Sequence, residues 1–213
     1  YPAAVCDVKT AIRFLYANAE KYGYDREKIA VWGESAGAYL ATMSALSGKN
    51  EYADLPFIGE ENAPSVTPKI SVLVDFYGII DFDKAQGDFD AQGVPRWLQN
   101  AVGGHDYINA FLGRELNELT KEEYAELSPT TRVTPALAET GLKVFVAHGT
   151  ADVIVPITQS TRLAATFEKA LGEKSVVFTQ LKNARHADDE FYLPEKLEKV
   201  RDFLDQSFQK GGK

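Results

Sequence analysis

The chain has 213 residues, 45% hydrophobic and 25% charged, the make-up of a soluble globular domain with room for a sizeable core. A net charge of -8 argues against nucleic acid or an anionic membrane as the main partner, and no apolar run approaches membrane-spanning length. Cys6 is the only cysteine, which excludes an intrachain disulfide and a cysteine metal cluster.

Val5, Val8, Ile12, Leu15 and Tyr16 recur at helical spacing and predict an amphipathic helix over residues 3–22, closed by Gly23 and Asp25. Lys28 to Trp32 reads as a short buried strand and Ala36 to Leu46 as a helix ended by Gly48. Residues 49–68 read as a polar, Pro-containing loop, and Ile70 to Phe76 as a second strand. Residues 81–127 carry glycines and aromatics among short helical stretches, the natural place for an inserted cap. Val133 to Glu139 then reads as a short helix, Leu142 to Ala147 as a third strand and Thr158 to Leu171 as a helix. Ser175 to Leu181 reads as a fourth strand and Pro194 to Phe208 as a closing helix. Strands alternating with helices predict an α/β domain spanning residues 1–213, a parallel sheet with helices on both faces. In such a sheet functional groups gather beyond the strand C-termini. The residues expected there are Gly33 to Ser35, Asp75 to Gly78, His148 to Asp152 and Asn183 to His186.

Residues 33–37 read Gly-Glu-Ser-Ala-Gly between a strand and a helix. This G-x-S-x-G spacing makes the chain turn sharply and lifts the Ser35 hydroxyl clear of the sheet. Gly33 and Gly37 are expected to leave room where a Cβ would collide. The helix after Ser35 aims its N-terminal N–H groups at the same place, which makes the Ala36 N–H a candidate oxyanion donor. A serine needs a neighbouring base, and the chain has three histidines. His186, in the loop after the last strand, reads as that base. His148 reads as a structural histidine bonded within its own loop, and His105 as a surface residue of the cap. The base in turn needs an acid, for which Asp152 is favoured over Asp75 and Asp81. The order Ser35, Asp152, His186 is that of the α/β-hydrolases rather than of other serine-hydrolase folds. Glu34 reads as a polar support buried under the nucleophile. Phe82, Phe89, Trp97, Tyr107 and Phe111 either line an acyl pocket or pack the cap. Neither metal-ligand spacing nor a Gly-rich phosphate loop is present, so no cofactor and no metal is expected.

These segments together resemble the α/β-hydrolase-fold carboxylesterases. Within that group the chain is similar to the hormone-sensitive-lipase-like esterases and to acetyl-xylan and feruloyl esterases. The resemblance rests on Val31-Trp32-Gly33-Glu34-Ser35-Ala36-Gly37, Phe76-Tyr77-Gly78-Ile79-Ile80-Asp81 and Ser128-Pro129-Thr130. It continues through His148-Gly149-Thr150-Ala151-Asp152 with Val155-Pro156, and Ala184-Arg185-His186. It implies a small-molecule ester substrate, an acyl-enzyme on Ser35, His186 as general base and acid, and Asp152 as orienting acid. Small or aromatic acyl groups, carried on sugars, are the implied substrate class. A prolyl-oligopeptidase-type peptidase shares the elbow and is the alternative enzyme. An inactive fragment or interaction module is the alternative of another class.

The family also carries about four strands and a His-Gly-Gly type oxyanion loop before the helix that opens this chain, whereas here Gly103-Gly104-His105 has those letters in another order and place. The expectation is that the chain is the C-terminal part of the family fold. Lys28 to Trp32 would then be a sheet edge, left bare or covered by an oligomeric partner or a second chain.

Overall fold

The apolar spacing of the opening residues builds helix α1 (Ala3–Ala17), which buries Val5, Ile12 and Tyr16 and leaves Leu15 exposed. The computed structural model describes residues 1–48, 51–52, 68–101 and 104–209; most of the loop read over 49–68 and the side chain of His105 lie outside them. The single helix expected over 3–22 is broken at Asn18, and α2 (Ala19–Tyr22) follows. Asn18 Nδ2 donates to the Phe14 carbonyl at 2.9 Å, the carbonyl its own backbone N–H also uses. Such competition by a short amide side chain ends a helix. Gly23, at φ 75°, closes α2 in the left-handed region.

Strand β1 (Ile29–Glu34) leads into α3 (Ala36–Leu46), and β2 (Ile70–Phe76) follows. Helix α3 ends at Ser47, one residue before Gly48, where the Ser47 hydroxyl donates to the Met43 carbonyl. The 81–127 segment folds into α4 (Ala85–Ala91), α5 (Arg96–Ala101), α6 (Gly104–Leu112) and α7 (Lys121–Leu127), the last opened by a Thr120–Glu123 capping box. One turn, α8 (Pro129–Arg132), comes next. The helix expected over 133–139 is a 3-10 turn over Pro135–Thr140, started by a proline that has no N–H to give. The chain finishes with β3 (Lys143–Gly149), α9 (Thr158–Leu171), β4 (Val176–Leu181) and α10 (Pro194–Gln209).

The four strands form one parallel sheet in the order β1-β2-β3-β4. The ladders run past the expected strand ends: Glu34 pairs with Phe76, and Gly149 with Leu181. Side chains alternate between two covered faces. Leu73, Val144 and Val146 pack with Ile12, Leu163 and Phe167 under α1, α3 and α9. Val72, Val74, Phe76 and Phe145 pack with Phe191 and Val200 under α10. Each fully buried Leu, Val or Phe contributes roughly 1.5–3 kcal/mol, which makes these two layers the main stabilising element. A third cluster, Tyr39 and Met43 with Phe82, Ile108, Leu116 and Leu127, seats the 81–127 segment on the outer side of α3. At the end of the sheet, β1 buries one face only; Trp32 on the other is 43% exposed and touches the ring of Phe76.

Candidate active site

The ladder between β1 and β2 continues one step into the turn, where the Ser35 N–H donates to the Phe76 carbonyl at 2.9 Å. Ser35 takes φ 53° and ψ -120°, a conformation costing about 1–3 kcal/mol in a non-glycine residue and found where surroundings impose it. What imposes it is the approach of α3. A Cβ on Gly33 would stand 2.0 Å from the Gly37 carbonyl oxygen, so the strand and helix can meet only at a glycine. The expectation for Gly37 is corrected: a Cβ there would meet no described atom within 4 Å. Gly37 matters through its backbone, which occupies the space beside Gly33. Ala36 opens α3, so its N–H lies in the first turn, where helical N–H groups have no intrahelical acceptor.

The acid and histidine loops are stitched together by backbone. Thr150 N–H donates to Leu181, Ala151 N–H to Ala184, and Asn183 N–H to the Thr150 hydroxyl, at 2.9, 3.0 and 2.9 Å. Two non-glycine residues near His186 have positive φ, Asn183 at 64° and Ala187 at 54°. The loop so bent delivers His186 to Ser35: His186 Nε2 lies 2.9 Å from Ser35 Oγ, and Nδ1 lies 2.7 Å from Asp152 Oδ2. A carboxylate only accepts, so Nδ1 carries the proton and Nε2 is free to accept from the serine hydroxyl.

Asp152 is fully buried. Its Oδ1 accepts the N–H groups of Ile154 and Val155 at 2.8 and 2.9 Å. Burial pushes its pKa up, but hydrogen bonds from His148, His186 and Val155 outweigh that and hold it at about 2. His148 is the structural histidine expected within the acid loop. Its Nε2 meets the Val155 carbonyl at 2.9 Å and Asp152 Oδ2 at 3.2 Å, and its Nδ1 meets Ser160 Oγ at 2.7 Å. A carbonyl cannot donate, so Nε2 bears the proton.

The rival carboxylates are engaged elsewhere. Asp75 accepts from Gly78 N–H and Thr42 hydroxyl, at 3.1 and 3.0 Å, and burial raises its pKa to about 6. Asp81 is bound by Arg162 at 3.1 Å and by the Thr130 hydroxyl. Arg162 also holds Asp88 at 2.7 Å, and the buried amide of Gln159 links Ile80, Asp81 and Asp88. Glu34 differs from its expectation: it is exposed, and its Oε2 accepts from Tyr77 and Tyr192 at 3.2 and 2.7 Å. Among the aromatics of the 81–127 segment, Phe82 and Phe89 are core, whereas Trp97 and Tyr107 are 70% and 73% exposed. No cluster of His, Cys, Asp and Glu among the described residues is arranged to hold a metal.

A family model described as BD-FAE matches residues 1–167. The chain belongs to the BD-FAE family. BD-FAE is a family of α/β-hydrolase esterases, in keeping with the parallel sheet and the elbow. This BD-FAE chain is 30% identical over 189 residues to the esterase LipQ of Mycobacterium tuberculosis, a match that covers 89% of the chain. It spans 39% of that relative's own length. A truncated carbohydrate esterase from gut microbiota superimposes with a TM-score of 0.74 at 20% identity, covering 97% of this chain and 69% of the other. The thermophilic esterase Est2 of Thermogutta terrifontis, solved with butyrate bound, gives 0.66 at 23% identity, with 96% and 66% covered. At those identities the likeness to solved structures is one of fold. Among the described residues no helix is long and apolar enough to cross a membrane.

The residues at each strand end are legible in the sequence, whereas their remote partners are not. Tyr77 stands at such an end and could have been singled out. Tyr192 and Gln92, which donates to the Asp152 carbonyl at 2.5 Å, carried no local signal.

Proposed function

We propose that this chain hydrolyses carboxylic esters through an acyl-enzyme on Ser35. The observation that carries the reading is the continuous line of hydrogen bonds from Ser35 Oγ through His186 to Asp152, 2.9 and 2.7 Å long. His186 Nε2 takes the Ser35 proton as Oγ attacks the ester carbonyl. Asp152, ionised at neutral pH, holds the imidazole tautomer and stabilises the imidazolium. The Ala36 N–H is the donor we assign to the developing oxyanion, and the family resemblance implies further donors from a His-Gly-Gly type loop. His186 then protonates the departing alcohol. It next draws a proton from water, which attacks the acyl carbonyl, and returns that proton to Ser35 Oγ as the intermediate collapses and the acid leaves. The substrate class we favour is a small or aromatic acyl group on a sugar, supported by the resemblance of the elbow, Asp152 and His186 segments to acetyl-xylan and feruloyl esterases.

The test is labelling by a fluorophosphonate and turnover of p-nitrophenyl acetate. Labelling at Ser35, with a p-nitrophenol burst that Ser35→Ala abolishes, is the expected result. Folded protein that takes no label at Ser35 would sink the proposal.

A further inference from the structure

Two hydrogen bonds hold the His186 ring along a line from Asp152 to Ser35. Both act through in-plane nitrogens, so neither stops the ring from rocking about that line. What meets the ring from the side is Tyr77, its centroid 4.8 Å from that of His186 and the two planes 64° apart. Tyr77 is 1% exposed and is the first residue beyond β2. Its φ of 45° is one that a non-glycine residue keeps only where neighbours over-determine it. They do so here. The Tyr77 N–H donates to the Ala147 carbonyl at 2.8 Å, and its ring packs edge-on against Phe191 at 4.6 Å.

The far end of the side chain is tied as well. Tyr192 donates to Glu34 Oε2 at 2.7 Å. Tyr77 then gives its own proton to the Tyr192 oxygen at 2.5 Å, with Glu34 as a second acceptor at 3.2 Å. Glu34 comes from the end of β1, adjacent to Ser35, and Tyr192 from the turn before α10. The same backbone turn that presents the nucleophile therefore also anchors the wall behind the base. Phe191 and Phe76 beside it fill the core with plain rings, whereas this position carries a hydroxyl whose partners come from the nucleophile turn and from Tyr192.

We propose that Tyr77 is a positioning residue for His186, and that Glu34 and Tyr192 act by fixing Tyr77. The proposal rests on the reading of His186 as the base of an ester hydrolase. The side chain touches no reacting atom; it sets the tilt of the imidazole, so its loss is felt in kcat and not in KM.

The experiment uses p-nitrophenyl acetate turnover together with the proton NMR signal of His186 Nδ1–H, assigned by its loss in His186→Ala. Tyr77→Leu is expected to lower kcat about 10²-fold, the cost of a small misplacement of a reacting group. KM stays within about twofold, and the Nδ1–H signal shifts or broadens, because ring tilt does not alter substrate binding. Tyr77→Phe and Tyr192→Phe keep the core volume, and each lowers kcat roughly 3–10-fold, the scale of one hydrogen bond. The pair together is no worse than the larger single loss, since both cut one tether. Glu34→Gln retains an acceptor and recovers most of the activity lost in Glu34→Ala. Wild-type kcat with an unmoved Nδ1–H signal in Tyr77→Phe and Tyr192→Phe would overturn the proposal even if Tyr77→Leu does not fold. A wild-type chain with no turnover defeats the esterase reading instead. The Nδ1–H signal still decides the positioning role, which fails if Tyr77→Phe and Tyr192→Phe leave it in place.

Discussion

His148 Nε2 lies 3.2 Å from the Asp152 oxygen that also receives the Nδ1–H of His186, so two imidazoles meet at one buried carboxylate oxygen. The first histidine steadies the acid from behind while the second is steadied by it. His148→Leu leaves the Val155 carbonyl, the Ser160 hydroxyl and Asp152 each short of a partner. Stability should fall by about 3 kcal/mol, as expected for buried polar groups losing hydrogen bonds. Urea unfolding of the variant measures it. The Asp152 pKa should also rise from about 2, since one of the bonds holding it down is gone.

Two of the buried carboxylates, Asp152 and Asp75, drive stability in opposite directions with pH. Asp152 is depressed from 3.8 to about 2, so its contribution is complete above 3.8 and is lost as pH falls through 2. Asp75 is raised from 3.8 to about 6, so the folded state holds a proton that the unfolded state has released. Its contribution is fully present below 3.8 and is lost as pH rises through 6. Asp75→Asn can still accept from Gly78 and donate to Thr42. It should flatten the fall in stability between pH 4 and 6, read by denaturant unfolding at a series of pH values. A wild-type slope in the variant would refute the assignment.

Gly149 stands where the acid loop passes the histidine loop, and a Cβ there would lie 2.2 Å from the Ala184 carbonyl oxygen. Backbone must give way, and the segment that moves carries His186. Gly149→Ala should therefore cut p-nitrophenyl acetate kcat by about 10²-fold. Thermal unfolding of the same sample separates that loss from global destabilisation.

Gln92 joins the 81–127 segment to the acid loop, donating to the Asp152 carbonyl and accepting from Ile157 N–H at 3.2 Å. Gln92→Ala should cost about 1 kcal/mol and speed hydrogen exchange at the Ile157 amide. Gln92→Glu should be worse, because it sets a carboxylate against a carbonyl oxygen that has only lone pairs to offer. Equal exchange in all three proteins would argue that the clamp does not hold the loop.

How much of this could be read from the chain depended on sequence distance. The turn at Ser35 was legible because Gly33, two residues before it, answers a steric need set by the backbone of Gly37. His148 was legible as structural because its partners Asp152, Val155 and Ser160 lie within 12 residues of it. Asp152 was preferred to Asp75 and Asp81 by position alone; what engages the rivals includes Thr42 and Arg162, 33 and 81 residues away. Glu34 was misread as buried because the two hydroxyls that bind it arrive from 43 and 158 residues further on. The break at Asn18 was missed for another reason: the apolar period continues through it, and only a side-chain amide turned back on Phe14 interrupts the helix.

The anchoring of α4 by Arg162 and Gln159 has a consequence for synthesis. Asp88 leaves the ribosome 71 residues before Gln159 and 74 before Arg162. At about 5–20 residues per second, α4 waits roughly 4–15 seconds with its carboxylate unpartnered. Over that interval α4, whose Ala85 and Phe89 are buried in the finished fold, has no α9 beside it. The 81–127 segment is thus fixed at α4 only after α9 has emerged.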